Sequence, residues 1–523
     1  MHKPAYIVMV LAALVMGGRM FFDLSKEMRG SENVVAVLNP AASNPVGGQT
    51  DATTEPETPD QNTDEELLKR IDEILNPQRN SSTDLQKDTQ LLASAVNPDR
   101  SDAVVPAAET VEQPLPAKST KKSADPIRQQ TPLHADMLTP GNFVYMGGFR
   151  PEFGDGLASR FGLGGWAIAF RPDGDPNGKD DGFPGSIYMV GHRHEQLVAE
   201  INIPKPFVSL SKNINDLPEA KILQPFADIT GGLRTRMTNG SSEPFEIGGM
   251  FVAGNRLQWT MYKYYNVEQI DYLSHGLSSL DLSSRAVRGM WHLGPQNSNN
   301  PAWHSYKHAG YICDVPQDLA DKYLGGRNLM SGLQISTGRQ TSSQGPALFA
   351  YKIDDENLPA GSSLDAIPLL WYPMNAEMAG HHPTDSWQGA AWLTAGNKQA
   401  IIVVGRKGLG PVHYGESRPG ECYQYKGYHA SAYETQMLFY RPEDVLAGAR
   451  NHVPDTPTAY RWDANTPGGN LDRFTFQTCR KDIGGMALDR TNNLLYIVEV
   501  NAGLSDANEW EEIPVIHVLK VVP

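Results

Sequence analysis

Glu246-Ile-Gly-Gly-Met-Phe251 recurs as Asp482-Ile-Gly-Gly-Met-Ala487 and, with a neutral first residue, as Gly162-Leu-Gly-Gly-Trp-Ala167. Each copy opens a short apolar run that is followed by a turn, a second run and usually a third. Five such modules can be laid under one another. They are residues 165–170, 186–191 and 196–203; 249–253, 256–262 and 277–282; 310–315, 329–337 and 346–351; 390–394, 400–404 and 436–440; and 485–488, 494–500 and 515–521. Units of this size cannot each bury an apolar face alone, so they must stack. The expected class is all-β, a β-propeller with five blades. Six or seven remain open if the irregular middle hides further strands. A β-sandwich is the alternative, although sandwiches do not need the repeated Gly-Gly opening. Residues 366–371 read as an outer strand and 143–146 as one that closes the ring onto the last blade. Residues 317–324 are the best helix candidate.

Outward from the repeats, the chain divides into three. In 1–22, Met-His-Lys precedes an apolar run over 5–16 that is short for a membrane span and is followed by Arg19. This reads as an uncleaved signal-anchor, with a signal peptide cut near Gly17 as the alternative. Residues 23–135 are rich in Pro, Ala, Ser, Thr and acidic residues and nearly free of aromatics, the composition of a disordered tether. Within it, 64–75 places Leu67, Leu68, Ile71, Ile74 and Leu75 on one helical face. The propeller occupies 136–523. Together these place the protein in the cell envelope, extracytoplasmic (periplasmic or at the cell surface) and held to the membrane by its N-terminus, or secreted if the signal is cut.

The formal charge of −15, with no dense basic stripe, argues against a nucleic-acid partner. Of three cysteines, Cys422 and Cys479 lie in late loops and could bridge after export, whereas Cys313 sits inside an apolar run. The chain resembles β-propeller repeat proteins over most of the region from about residue 140. Two stretches are similar to a group of secreted bacterial propeller-like proteins: Val190-Gly-His-Arg-His-Glu-Gln-Leu-Val-Ala-Glu-Ile-Asn-Ile-Pro204 and Val315-Pro-Gln-Asp-Leu-Ala-Asp-Lys-Tyr-Leu-Gly-Gly-Arg327. That resemblance implies architecture and no particular activity.

Antiparallel pairing puts the Gly-Gly openings on the same face as the ends of the second strands. Glu246, Asp385 and Asp482 stand at openings, and Gly191-His192-Arg193-His194, Gly338-Arg339 and Gly405-Arg406 at strand ends. A long loop over 408–434 adds His413, Tyr425, Tyr428 and His429. Aromatic planes stack on sugar rings, and Arg or His groups pair with carboxylate or sulfate. The expected ligand site is therefore His192, His194, Arg339, Arg406, His413, Tyr425, Tyr428 and His429, binding an anionic or polyhydroxylated carbohydrate. The alternatives are a glycoside hydrolase using Glu246, Asp385 or Asp482, a polysaccharide lyase using His429 and Tyr428, and a scaffold that binds an envelope protein. Asp173, Asp175, Asn177 and Asp181 match the opening of a calcium loop but lack its twelfth-position Glu. A structural Ca2+ there would lie on the opposite face. His192 and His194 share one side of a strand, as transition-metal ligands would, against the plainer reading of hydrogen-bonded histidines.

Overall fold

The computed structural model describes residues 134–523 except 155, 157, 179, 237–244, 265, 267–268, 336–341, 355–356, 416–426, 452–456 and 506–507. The signal segment, the tether, the helix expected at 64–75, Arg339, Cys422 and Tyr425 lie outside the described residues.

The sheets are the five blades of a β-propeller. Blade I contains Ile168–Arg171, Ser186–Val190, Val198–Asn202 and Ile222–Ala227; blade II Glu246–Ala253, Arg256–Tyr262, His275–Ser279 and Val287–Leu293. Blade III contains Ile312–Asp314, Leu329–Ser331, Leu348–Tyr351 and Ala366–Leu370; blade IV Ser386–Ala395, Lys398–Gly415, Gly427–Tyr440 and Tyr460–Trp462. Blade V joins Ile483–Asp489, Leu494–Ser505 and Asn508–Val521 to the N-terminal strand Phe143–Pro151. Phe143 pairs with Val521 in antiparallel register, and the Asn142 side chain donates to the Val522 carbonyl at 3.0 Å. First and last residues of the ring thus share one sheet. The sandwich alternative and the higher blade numbers are corrected by this topology. The helix expected at 317–324 is present as Gln317–Tyr323.

Stacking is what buries the apolar runs. Every gap between adjacent blades holds its own core: Trp259 and Tyr188 between I and II, Trp291 and Phe349 between II and III, Trp392 and Met330 between III and IV, Phe439 and Leu519 between IV and V, Tyr496 and Ile187 between V and I. A strand flanked on both sides is buried on both faces, which is why Ala400-Ile-Ile-Val-Val404 is apolar throughout and does not alternate.

The Gly-Gly phrase closes the ring. The inner strands touch in the order I, II, III, IV, V and back to I, and they do so backbone to backbone. Gly485 N–H donates to the Gly165 carbonyl at 3.0 Å. A Cβ on Gly485 would lie 2.6 Å from the backbone N of Ile168, and one on Gly249 2.4 Å from the carbonyl of Gly310. Only glycine fits there.

Candidate functional site at the propeller mouth

At the end where the inner strands begin, a cavity opens on the ring axis. All five blades line it: Trp166 and Arg193 from I, Tyr262 and Tyr264 from II, Ile335 from III, Ser386, Gln388 and Arg406 from IV, and Arg480, Asp482, Ile483 and Asn501 from V. The placement follows from strand pairing. Glu246 opposes Tyr262 and Ser386 opposes Arg406 across the first two strands of their blades, so strand starts and strand ends converge on the axis.

Three guanidinium groups dominate the lining, each held by a carboxylate. Arg193 donates from Nε and Nη2 to Glu246, both at 3.2 Å, and its Cζ lies 5.0 Å from the centroids of both the Trp166 and the Tyr264 ring. Tyr262 donates its hydroxyl to Glu246 at 2.9 Å. Burial, followed by the Glu246 charge, pushes the Tyr262 pKa far up. For Arg193, burial pulls the pKa down but is outweighed by Glu246 and the two tyrosines, so it stays raised. Arg406 pairs with Asp482 and lies over the Tyr433 ring, 4.6 Å from its centroid. Arg480 faces the same Asp482 at 3.6 Å and pairs with Glu512.

The residues singled out from sequence fall into three groups. Arg406 and Asp482 line the mouth, and Glu246 stands directly behind Arg193. Asp385 is fully buried and accepts from Lys407 Nζ (2.9 and 3.1 Å), Gly408 N–H (2.9 Å) and His382 N–H (2.9 Å). It anchors a turn and does not line the mouth. His192 packs against Glu511 (3.6 Å), burial lowering its pKa, and its ring lies 5.4 Å from that of His194. His413, Tyr428 and His429 are not in a loop. The segment expected as one continues the strands Lys398–Gly415 and Gly427–Tyr440 into a two-stranded ribbon. There His413 faces His429 and Tyr414 faces Tyr428, ring centroids 5.7 and 4.9 Å apart. None of the three lines the mouth. Sequence reasoning missed Trp166, Tyr262, Tyr264, Gln388, Arg480 and Asn501. Only Trp166 carried a signal, as the departure from Met in the Gly-Gly phrase.

In the hairpin between the first two strands of blade I, Asp175 accepts from Asn177 N–H and Asp181 from Phe183 N–H, both at 2.9 Å. Asp173 pairs with Arg171 at 3.3 Å. Among the described residues no group of three or more His, Cys, Asp or Glu side chains has the arrangement of a metal site. Cys479 is disulfide-bonded and Cys313 is free and buried.

A second cavity, over blade II, is lined by Phe245, Asp271, Tyr272, Leu273, His292, Gln296 and Asn297. His292 faces an acceptor with each ring nitrogen, the Gly294 carbonyl at 3.0 Å and the Asp271 carboxylate at 3.0 Å. An imidazole with two acceptors donates twice only as the cation. Burial opposes that charge, but the bonds to Asp271 and Gly294 outweigh it and raise the His292 pKa. His275 and His308 beside it are buried. Their pKa values are lowered by burial first, to about 3 for His275.

No family model and no curated protein matches the sequence. Among solved structures, a luciferin-regenerating enzyme is similar over 65% of this chain and 75% of that one, at 8% identity and a TM-score of 0.26. The PQQ-bound form of an aldose sugar dehydrogenase from Streptomyces coelicolor is similar over 72% and 97%, at 11% identity and a TM-score of 0.22. The plexin A4 extracellular region is similar over 68% of this chain and 34% of that one, at 9% identity and a TM-score of 0.25. At such values the likeness is one of propeller fold alone.

Proposed function

We propose that this chain is an extracytoplasmic, membrane-tethered propeller that binds an anionic carbohydrate at its axial mouth without transforming it. The observation that carries the reading is the lining: three guanidinium groups from three blade edges against a single lining carboxylate, Asp482. Guanidinium edges match carboxylate and sulfate oxygens, and the Trp166 and Tyr264 rings offer planes for sugar faces. Binding is favoured over hydrolysis because the carboxylates at and behind the mouth are all ion-paired. Glu246 is tied to Arg193 and Asp482 to Arg406. The disulfide at Cys479 supports an oxidising compartment, in keeping with the N-terminal segment.

The test is to titrate the purified full chain with uronate-bearing, sulfated and neutral polysaccharides, following binding and new reducing or unsaturated ends together. Saturable binding of acidic glycans without new ends is expected. New ends that vanish in Asp482→Asn would make the protein a hydrolase. Equal binding of neutral and acidic glycans would remove the role given to the arginines.

A further inference from the structure

We propose that the mouth takes its ligand end-on, seating one terminal acidic sugar of a chain in a closed cup; this rests on the anionic-carbohydrate reading above and sharpens it. Along the axis the mouth does not run into the next cavity, with which it shares no lining residue. Below the arginine layer the inner strands meet through Gly485 and Gly165, and a Cβ on Gly389 would come within 2.5 Å of Met486 Cβ. The space beyond is separate and mostly apolar, lined among others by Phe170, Met250, Cys313, Met486 and Leu488. Its lining carboxylate, Asp314, is taken by Arg490 at 2.7 and 2.8 Å. Threading a hydroxylated chain through it would strip water from groups with no partners to replace it.

Described residues from all five blades line the cavity, so it is not a groove built from one pair of blades. In blades I, II and III the second strand stops at Val190, Tyr262 and Ser331, whereas in IV and V it runs on to Gly415 and Ser505. A chain laid across the mouth would meet those continuing ribbons; a chain end would not.

Arg193 is suited to a terminal carboxylate. Its Cζ lies 5.0 Å from the centroids of both the Trp166 and the Tyr264 ring and two edge donors, Nε and Nη2, are taken by Glu246, while the side chain is still 31% exposed. What it can offer a ligand is the remaining edge, which selects an oxyanion lying in its plane.

Calorimetry of the full chain with defined-length oligogalacturonates and hyaluronan oligomers tests this. One protein per glycan chain, whatever the chain's length, is expected in at least one series. The free acidic monosaccharide of that series should compete, and its methyl ester should be at least about tenfold weaker. Arg193→Lys should weaken the acid about tenfold and leave the ester unchanged. Should that variant fail to fold, the acid–ester comparison on the unaltered protein decides. Stoichiometry that grows with chain length would overturn end-on binding and leave the anionic-carbohydrate reading intact. No binding in either series, where other acidic glycans do bind, would also sink the end-on claim, and no binding of any acidic glycan would sink both.

Discussion

Glu246 never touches the cavity, yet it sets what the cavity can do. It takes two donors from Arg193 and one from Tyr262, so the guanidinium is fixed by a neighbour before any ligand arrives. Glu246→Gln keeps the shape and removes the charge. The pair is only partly buried, so a loss of about 1–3 kcal/mol is expected in urea unfolding, together with roughly tenfold weaker binding of acidic glycan. A stable variant with unchanged affinity would show that Arg193 is held by its aromatic neighbours alone. At this scale the sequence was half legible. Glu246, Arg406 and Asp482 could be found because they flank repeated glycines. Arg480 and Asn501 could not, because nothing in Arg480-Lys-Asp482 or Val500-Asn501 marks which side chain faces the axis. Tyr262 and Tyr264 read as ordinary strand aromatics until the pairing of Glu246 with Tyr262 fixed their direction.

Among the elements, the inner strands leave the least room for change. Gly249→Ala would drive a Cβ to 2.4 Å from the Gly310 carbonyl, and about 1–3 kcal/mol of destabilisation is expected. Gly254→Ala, in a turn, meets no atom within 4 Å and is disfavoured by φ of 57° alone; about 1 kcal/mol is expected. Thermal melts of the two should separate in that order. The strands of blade II also set a pH profile. His275 and His308 are held neutral by burial, so their contribution is present above about pH 6.5, the unfolded value, and is lost as pH falls toward the folded values, about 3 for His275. For His292 the folded pKa is raised, so its contribution is complete below about 6.5 and is lost as pH rises through the folded value. Stability should peak near neutrality, and His292→Asn should flatten the alkaline side and also ease the acid side, because the His292 charge helps to lower His275 and His308. A His292→Asn melt that keeps its alkaline slope would put the titration elsewhere. Sequence periodicity located these strands well but took residues 408–415 and 427–434 for loop, whereas they continue two strands of blade IV. Polar and aromatic residues are mixed there and residues 409–412 are exposed, so composition alone suggested a loop.

For the whole molecule, blade number and closure were both readable, the first from five aligned modules and the second from the apolar run at 143–146. Stacking made them readable, since five interblade cores demand five apolar units. A chain lacking residues 134–151 would lose Phe143 and Phe149 from two of those cores and uncover the edge of Asn508–Val521. Aggregation and loss of the cooperative melt are expected, as judged by size-exclusion chromatography and circular dichroism; a monomeric, cooperatively melting product would mean that the ring holds without its closing strand. That closing sheet has a further consequence, in time. Phe143 is among the first residues of the ring to leave the ribosome and Val521 among the last, and they pair with each other. Early blades can collapse locally, but the long-range contacts that finish the fold must wait until the last strand of the ring has been made. Until then blade V is incomplete, and the nascent chain exposes the apolar faces that chaperones bind.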